Sequence, residues 1–279
     1  MTTRIWHQSI TDLTRLPGYR TALAEHAAAV SEPGVTVDLH GVEPGTYPEG
    51  LAPIETTCYP WLSSLLTVQV VQNIIRAEQE GYDAVTISCF LDPGLREARS
   101  AVGIPVVSAL ESALLASPVV AGSVGLVGLG GAMAADMRRL ADGYGLGSRI
   151  AAIVPVTPPI TELEIDSPDR LDSVVERVGR ASREAVESGA ELIVPAEGVL
   201  NAILVRAGVT ELAGVPVLDS FGLLLSHAVS YAGLWRRTGL RTSRRGLYAR
   251  GPDSARRHIT SVTARSLADS APLDSGVPA

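Results

Sequence analysis

One pattern occurs twice in this chain. Gly81-Tyr-Asp-Ala-Val-Thr-Ile-Ser-Cys89 and Gly189-Ala-Glu-Leu-Ile-Val-Pro-Ala-Glu197 each run from a glycine through an acid and an apolar strand to a reactive side chain. The match sets Asp83 against Glu191, Val85 against Ile193 and Cys89 against Glu197. Further on, Gly103-Ile-Pro-Val-Val-Ser108 is echoed by Gly214-Val-Pro-Val-Leu-Asp-Ser220. A period of roughly 100 residues is too long for a solenoid unit and marks a duplicated domain. With 279 residues, the chain can supply two lobes, each with its own core. Strands alternating with helical stretches predict an α/β fold with parallel sheets and helices on both faces. The expected architecture is two similar flavodoxin-like (Rossmann-like) three-layer lobes related by pseudo-two-fold symmetry. The first lobe is expected from 1–117 plus 221–248 and the second from 118–220, with 249–279 a flexible tail containing Arg, Ser and Pro. Ligands of such sheets sit at the carboxyl ends of the strands, where Cys89 and Glu197 fall. The pair is expected on opposite walls of one cleft between the lobes.

Composition removes several function classes. The net charge is −7 and 46% of residues are hydrophobic, which gives nucleic acid no basic surface. All 23 basic residues are arginine. Without lysine there is no Schiff base for pyridoxal phosphate and no Walker-type phosphate contact. Two cysteines, Cys58 and Cys89, make no disulfide framework, and the five scattered histidines show no zinc spacing. No cofactor and no metal are expected. No charged-then-apolar leader and no apolar run of about 18 residues is present, so a cytoplasmic protein without membrane contact is expected.

Cys89 ends a strand just before Asp92-Pro93, which reads as an N-cap with proline at the first helical position. A thiol at a helix N-terminus has its pKa lowered by the free N–H groups and the dipole. Phe90 and Gly198 flank the reactive pair and are expected to contact substrate. Ser123 to Met133 places a strand before Gly128-Leu-Gly130-Gly131, as in a dinucleotide fingerprint. Met133 occupies the third glycine position, and the next strand does not end in the acid that holds a ribose, which argues against that ligand. Gly128, Gly130 and Gly131 are expected instead to offer backbone N–H groups to a small oxyanion.

Other readings bear on packing. Val68, Val71, Ile75 and Ala77 form a helical stripe expected to pack beside the Cys89 strand. Tyr59 and Trp61 either wall an apolar pocket or pin their loop to the surface. Thr157 to Pro168 reads as a loop, and Arg177, Arg180 and Arg183 as a solvated face paired with Glu176, Glu184 and Glu187. Val215 to Asp219 reads as a strand, and His227 as a satisfied core residue on an apolar helix. Arg241 to Arg245 is expected to clip onto the core or onto a neighbouring subunit, with a mobile tail beyond about Gly251.

The stretch Ser-Cys-Phe-Leu-Asp-Pro-Gly-Leu, the two glycine-led strands and the opening Arg4-Ile-Trp-His-Gln-Ser9 resemble the aspartate/glutamate/hydantoin racemase superfamily, and its hydantoin-racemase-like branch in particular. The resemblance covers about residues 3–235. It implies a cofactor-independent isomerase or racemase that moves a proton at a carbon beside a carbonyl, on a small carboxylate or cyclic ureide, and a homo-oligomer. Cys89 matches the family's first cysteine, and Glu197 stands where the second is found. Gln8 and Ser9 match a loop that in the family holds the substrate's carboxylate or carbonyl, although His7 and Gln8 replace the asparagine and proline of many relatives. The same thiol and carboxylate also suit a one-cysteine lyase or cis–trans isomerase acting on a dicarboxylic acid. A non-catalytic binder of small acids is the remaining reading. If Glu197 instead caps the helix that follows it, the two-base idea fails.

Overall fold

A computed structural model describes residues 2–49, 53–160, 164–165 and 170–269. Part of the Thr157–Pro168 loop and the last ten residues of the expected tail lie outside these.

The first half runs β1 (Thr3–Ser9), α1 (Pro17–Val30), β2 (Val35–His40), α2 (Pro53–Thr57), α3 (Pro60–Gln79), β3 (Ala84–Ser88), α4 (Leu95–Ala101), β4 (Val106–Ser108) and α5 (Ala109–Val120). Its four strands are parallel, in the order β2-β1-β3-β4. Strand alternation splits the residues between two faces. Ile5 and Ala84 join one core, while Trp6, Val85 and Ile87 join another on the opposite side. The second core is closed by α3 and α4 through Val70, Ile74, Ala77, Leu95 and Ala98. The buried stripe of α3 is therefore Leu66, Val70, Ile74 and Ala77, one step round the helix from the expected one, and Val68 is exposed. The buried face is the one that meets Val85 and Ile87 in the second core, and Pro60 starts the helix five residues before Leu65.

The second half runs β5 (Val124–Gly128), α6 (Gly131–Gly143), β6 (Ile150–Pro155), α7 (Leu171–Glu187), β7 (Ile193–Pro195), α8 (Gly198–Arg206), β8 (Glu211–Leu212) and β9 (Val215–Pro216). Its parallel sheet is ordered β6-β5-β7, and a single parallel bridge from Ile193 to Val217 stands in the fourth place. The strand expected over Val215–Asp219 thus shrinks to that bridge, because Val215 and Pro216 pair antiparallel with β8. The Pro216 nitrogen also has no hydrogen to give to a ladder.

The duplication extends to individual hydrogen bonds. Gly81 and Gly189 both have positive φ, 77° and 98°, and each ends a helix by donating to the carbonyl three residues back, Glu78 or Val186. Asp83 accepts from the N–H of Arg4 and Glu191 from the N–H of Gly122, so each acid ties its strand to the start of the neighbouring one.

The chain then returns to the first sheet through α9 (Ser220–Thr238), which packs on β1, β3 and β4. Arg244 clips the following segment down by donating to the carbonyls of Arg99 and Val102, as the sequence leads one to expect. Where a mobile tail is expected, Asp253–Asp269 forms α10, whose described side chains are all exposed. Among the described residues no helix is long and apolar enough to cross a membrane, and no group of three His, Cys, Asp or Glu side chains is placed to hold a metal.

Candidate active site

Cys89 directly follows β3 and Glu197 follows β7 by two residues. Each of these strands lies beside the first strand of its sheet, at the point where strand order reverses and α/β sheets bind ligands. Both side chains line one cleft between the halves. The first half adds Ser9, Ile10 and Thr11 after β1, Tyr19 from α1, Pro53 and Thr57 from α2, and Ser88, Phe90 and Leu91. The second half adds Leu129, Met133, Ala196, Gly198 and Val199, and the cavity among them measures about 70 Å³.

Cys89 does not sit on a helix N-terminus. The helix after it begins at Leu95, with Gly94 as a left-handed cap, and dipole effects fade within one turn. Burial pushes the thiol pKa up to about 12, and the charges of Asp92 and Glu197 add to the rise. The N–H of Leu91, 3.4 Å from Sγ, is too little to offset them. The expected lowering of the thiol pKa is thus corrected to a rise for this partly buried side chain. Asp92 is corrected as well. Its carboxylate accepts from the N–H groups of Leu110 and Glu111, so it caps α5 and not the helix that follows it in sequence.

Glu197 occupies the N-cap position of α8, yet its side chain makes no capping bond there. Its backbone carbonyl takes the first helical bond, from Asn201 N. Glu197 lines the cleft, and the capping alternative does not hold. Gly198 is required by close approach: a Cβ there would lie 2.3 Å from the Tyr19 hydroxyl, 3.5 Å from its Cζ and 3.9 Å from Ser88 Oγ. Phe90 and Gly198 line the cleft as expected.

Ser9 also lines it, with Oγ bonded to Thr11 Oγ1 and accepting from the Thr11 N–H. Gln8 does not. It lies inside β1, fully buried, and its amide donates to the carbonyls of Ser9 and Gly41 while its oxygen accepts from Trp6 Nε1. Gln8 thus locks the strand end and offers nothing to a ligand. Gly128, Gly130 and Gly131 are not among the residues that line the cleft, whereas Leu129 and Met133 are. A Cβ on Gly128 would come 3.6 Å from the Cβ of Glu197, and one on Gly130 would come 2.8 Å from the Pro155 ring. These residues let the backbone pass close to its neighbours.

Several side chains lie elsewhere than expected. Tyr59 and Trp61 are both more than half exposed and are not among the residues that line the cleft. Cys58 lies outside the cleft, with Sγ 3.4 Å from the Glu55 carbonyl. Arg177 is buried, not solvated. It pairs with Glu164 and donates to the carbonyls of Pro158 and Pro159, whereas Arg180 does form the expected surface pair with Glu176. His227 is half-buried and lines a separate cavity of about 340 Å³ with Glu111, Tyr231 and Trp235.

Sequence reasoning missed Tyr19, Thr11, Thr57, Ser88, Leu129 and Met133. No local pattern points to Tyr19, because only the packing of α1 against α8 brings its hydroxyl over Gly198.

Residues 19–228 match the family model described as Asp/Glu/Hydantoin racemase. A hydantoin racemase from Pseudomonas sp. (strain NS671) is 28% identical over 61% of this chain, and the match spans 66% of that protein, just under two thirds of its length. A hydantoin racemase from Paenarthrobacter aurescens is 29% identical over 66% of this chain and 75% of its own. Among solved structures, an allantoin racemase from Klebsiella pneumoniae superposes with a TM-score of 0.69 at 23% identity, over 90% of this chain and 94% of that one. A glutamate racemase from Bacillus anthracis gives 0.59 at 15% identity, over 99% of both. These superpositions show the shared two-lobe fold.

Proposed function

Because this chain belongs to the Asp/Glu/hydantoin racemase family, we propose that it racemises a cyclic ureide of the hydantoin type at the carbon beside a ring carbonyl. One observation carries the choice of substrate: among the described residues lining the cleft there is no arginine and no histidine, and the chain has no lysine. A free amino acid or a dicarboxylate would bring one or two negative charges against Glu197 with no cation to pair them, at a high desolvation cost. An uncharged ring with carbonyl and N–H groups sets no like charge against Glu197 and can meet the hydroxyls of Ser9, Thr11, Tyr19, Thr57 and Ser88. The apolar side chains of Phe90, Leu91, Leu129, Met133 and Val199 suit a substituent on the reacting carbon. The same lack of a cation argues against a lyase acting on a dicarboxylic acid.

In this reading Glu197 is the base and Cys89 the acid. The substrate C–H bond breaks, its proton passes to the Glu197 carboxylate, and the electron pair moves into the enolate held by the hydroxyl groups. The S–H bond of Cys89 then breaks and its proton joins the opposite face of the carbon, leaving a thiolate. A thiol held near 12 is a full-time proton donor at neutral pH, and its thiolate is a strong base. Solvent carries the proton from Glu197 back to the sulfur to reset the pair, or the opposite enantiomer does so by reacting in reverse.

The test is NMR in heavy water on 5-substituted hydantoins, allantoin, aspartate and glutamate, with wild type, Cys89→Ala and Glu197→Gln. Exchange at the reacting carbon together with loss of optical rotation is expected on ureides alone, and either substitution abolishes racemisation. Equal turnover of a free acidic amino acid, or racemisation that survives Glu197→Gln, refutes the assignment.

A further inference from the structure

Asp92 is a buried acid that the reaction outlined above does not use. It lies three residues past Cys89, is 5% exposed, and has a φ of 43°, in a left-handed region where a residue with a side chain persists only if its surroundings hold it. What holds it is a set of contacts from three elements. One carboxylate oxygen accepts from the Ser108 hydroxyl and, at 3.1 Å, from the Leu110 N–H. The other accepts from the Glu111 N–H at 3.2 Å and from the Tyr144 hydroxyl at 2.8 Å. Ser108 to Glu111 is the opening of α5, and Tyr144 is the C-cap of α6 in the other lobe. On the backbone side, the Asp92 N–H donates to the Cys89 carbonyl at 3.1 Å, and the Asp92 carbonyl accepts from Leu95. A single carboxylate thus ties the thiol-bearing turn to α5 and, across the lobe boundary, to α6. The other end of α6 brings Met133 to the cleft.

We propose that Asp92 is a positioning residue of the reaction, fixing the Cys89 turn against the second lobe with its negative charge set behind the thiol. This rests on the reading of Cys89 as proton donor. The charge at Asp92 is set by its neighbours on every side. Glu111 faces it from α5, Tyr144 and Arg139 from α6, Tyr248 from the C-terminal segment, and Arg96, Glu97 and Arg99 from α4 along a shared groove. Arg99 is already paired with Glu111, and among the described residues no salt bridge reaches Asp92. Burial raises its own pKa to about 6, which leaves it ionised at neutral pH.

The experiment compares wild type, Asp92→Asn and Tyr144→Phe, all in a Cys58→Ala background so that one thiol is read. Two quantities are measured, ureide racemisation and the alkylation rate of Cys89 by iodoacetamide at pH 9. Removing the Asp92 charge is expected to lower the thiol pKa by about one unit, which speeds alkylation about tenfold. In the same variant kcat falls at least about tenfold while KM stays within about twofold. Tyr144→Phe loosens the same junction without removing a charge, so kcat falls while alkylation stays within about twofold of wild type. Alkylation that rises equally in both variants would mean exposure and not charge, and would overturn the proposal, as would an unchanged kcat in both. Should Asp92→Asn fail to fold, kcat of Tyr144→Phe decides. Should wild type racemise no ureide, the substrate assignment fails separately, and the alkylation comparison still decides the coupling of Asp92 to Cys89.

Discussion

Gly198→Ala puts the geometry of the cleft under direct test. The added Cβ would stand 2.3 Å from the Tyr19 hydroxyl oxygen, so one of them must move by roughly 1 Å to reach van der Waals distance. Tyr19 cannot swing aside cheaply: it is 3% exposed and packed in the main core, and its oxygen sits on a rigid ring. Overpacking of this kind costs about 1–3 kcal/mol. The opposing gain, alanine over glycine in a helix, is at most about 1 kcal/mol and is smaller in the first turn. A net loss of about 1–2 kcal/mol is expected in urea denaturation, with racemisation falling because the displaced residue adjoins Glu197. In a Tyr19→Phe background the nearest remaining atom is Cζ at 3.5 Å, an ordinary contact, so Gly198→Ala should then cost nothing or stabilise slightly. A double-mutant cycle reads this coupling directly. A neutral Gly198→Ala in the wild-type background, or an equal cost in both backgrounds, would refute the contact.

Two further outcomes follow from charged groups outside the cleft. Arg177→Leu should destabilise by about 3–5 kcal/mol in denaturant titrations, because Glu164 is left buried beside the Pro158 and Pro159 carbonyls that Arg177 also satisfies; adding Glu164→Leu should recover a large part of it. Asp219 caps α9 through the Gly222 N–H and meets His26 Nε2 at 2.7 Å. Burial pushes its pKa up, but the bond from His26 and then that from Gly222 outweigh this and hold it below the usual carboxylate value. A depressed folded pKa means stabilisation that is present above about pH 4 and is lost as pH falls through the folded value. Asp219→Ala should therefore cost about 1 kcal/mol at pH 7, and the gap to wild type should close on acidification below about pH 4.

What was legible in the sequence was what the chain encodes locally and repeats. The glycine, acid and strand pattern at Gly81 and Gly189 needs only neighbours in sequence to act, and it produced the same helix ending and the same strand tie in both halves. Cys89 and Glu197 were legible because each ends such a strand. The charge on the thiol was not. Reading Asp92-Pro93 as a helix start assumed that chain proximity decides the cap, whereas the carboxylate reaches α5, 18 residues away in sequence at Leu110. Burial then outweighed any dipole. Gln8 was misplaced and Tyr19 missed for a related reason. Gln8 lies near the reacting end of β1 but spends its amide on Ser9 and Gly41, while Tyr19 enters the cleft only through helix packing.

The two halves differ most instructively in how each anchors the helix after its last strand position. In the first, the ionisable Asp92 holds the start of α5. In the second, the neutral Asn201 does the corresponding work at α9: its oxygen accepts from the Ser220 N–H, and its amide donates to Asp219. The choice matters because each anchor lies within four residues of its reactive group. A negative charge behind a thiol favours the protonated form, which is what a donor needs. The same charge behind Glu197 would oppose its ionised form; the amide adds none of its own, and the Asp219 carboxylate it meets is paired with His26. The asymmetry between Cys89 and Glu197 is matched by one between Asp92 and Asn201, which suits the donor and base roles proposed for the two walls.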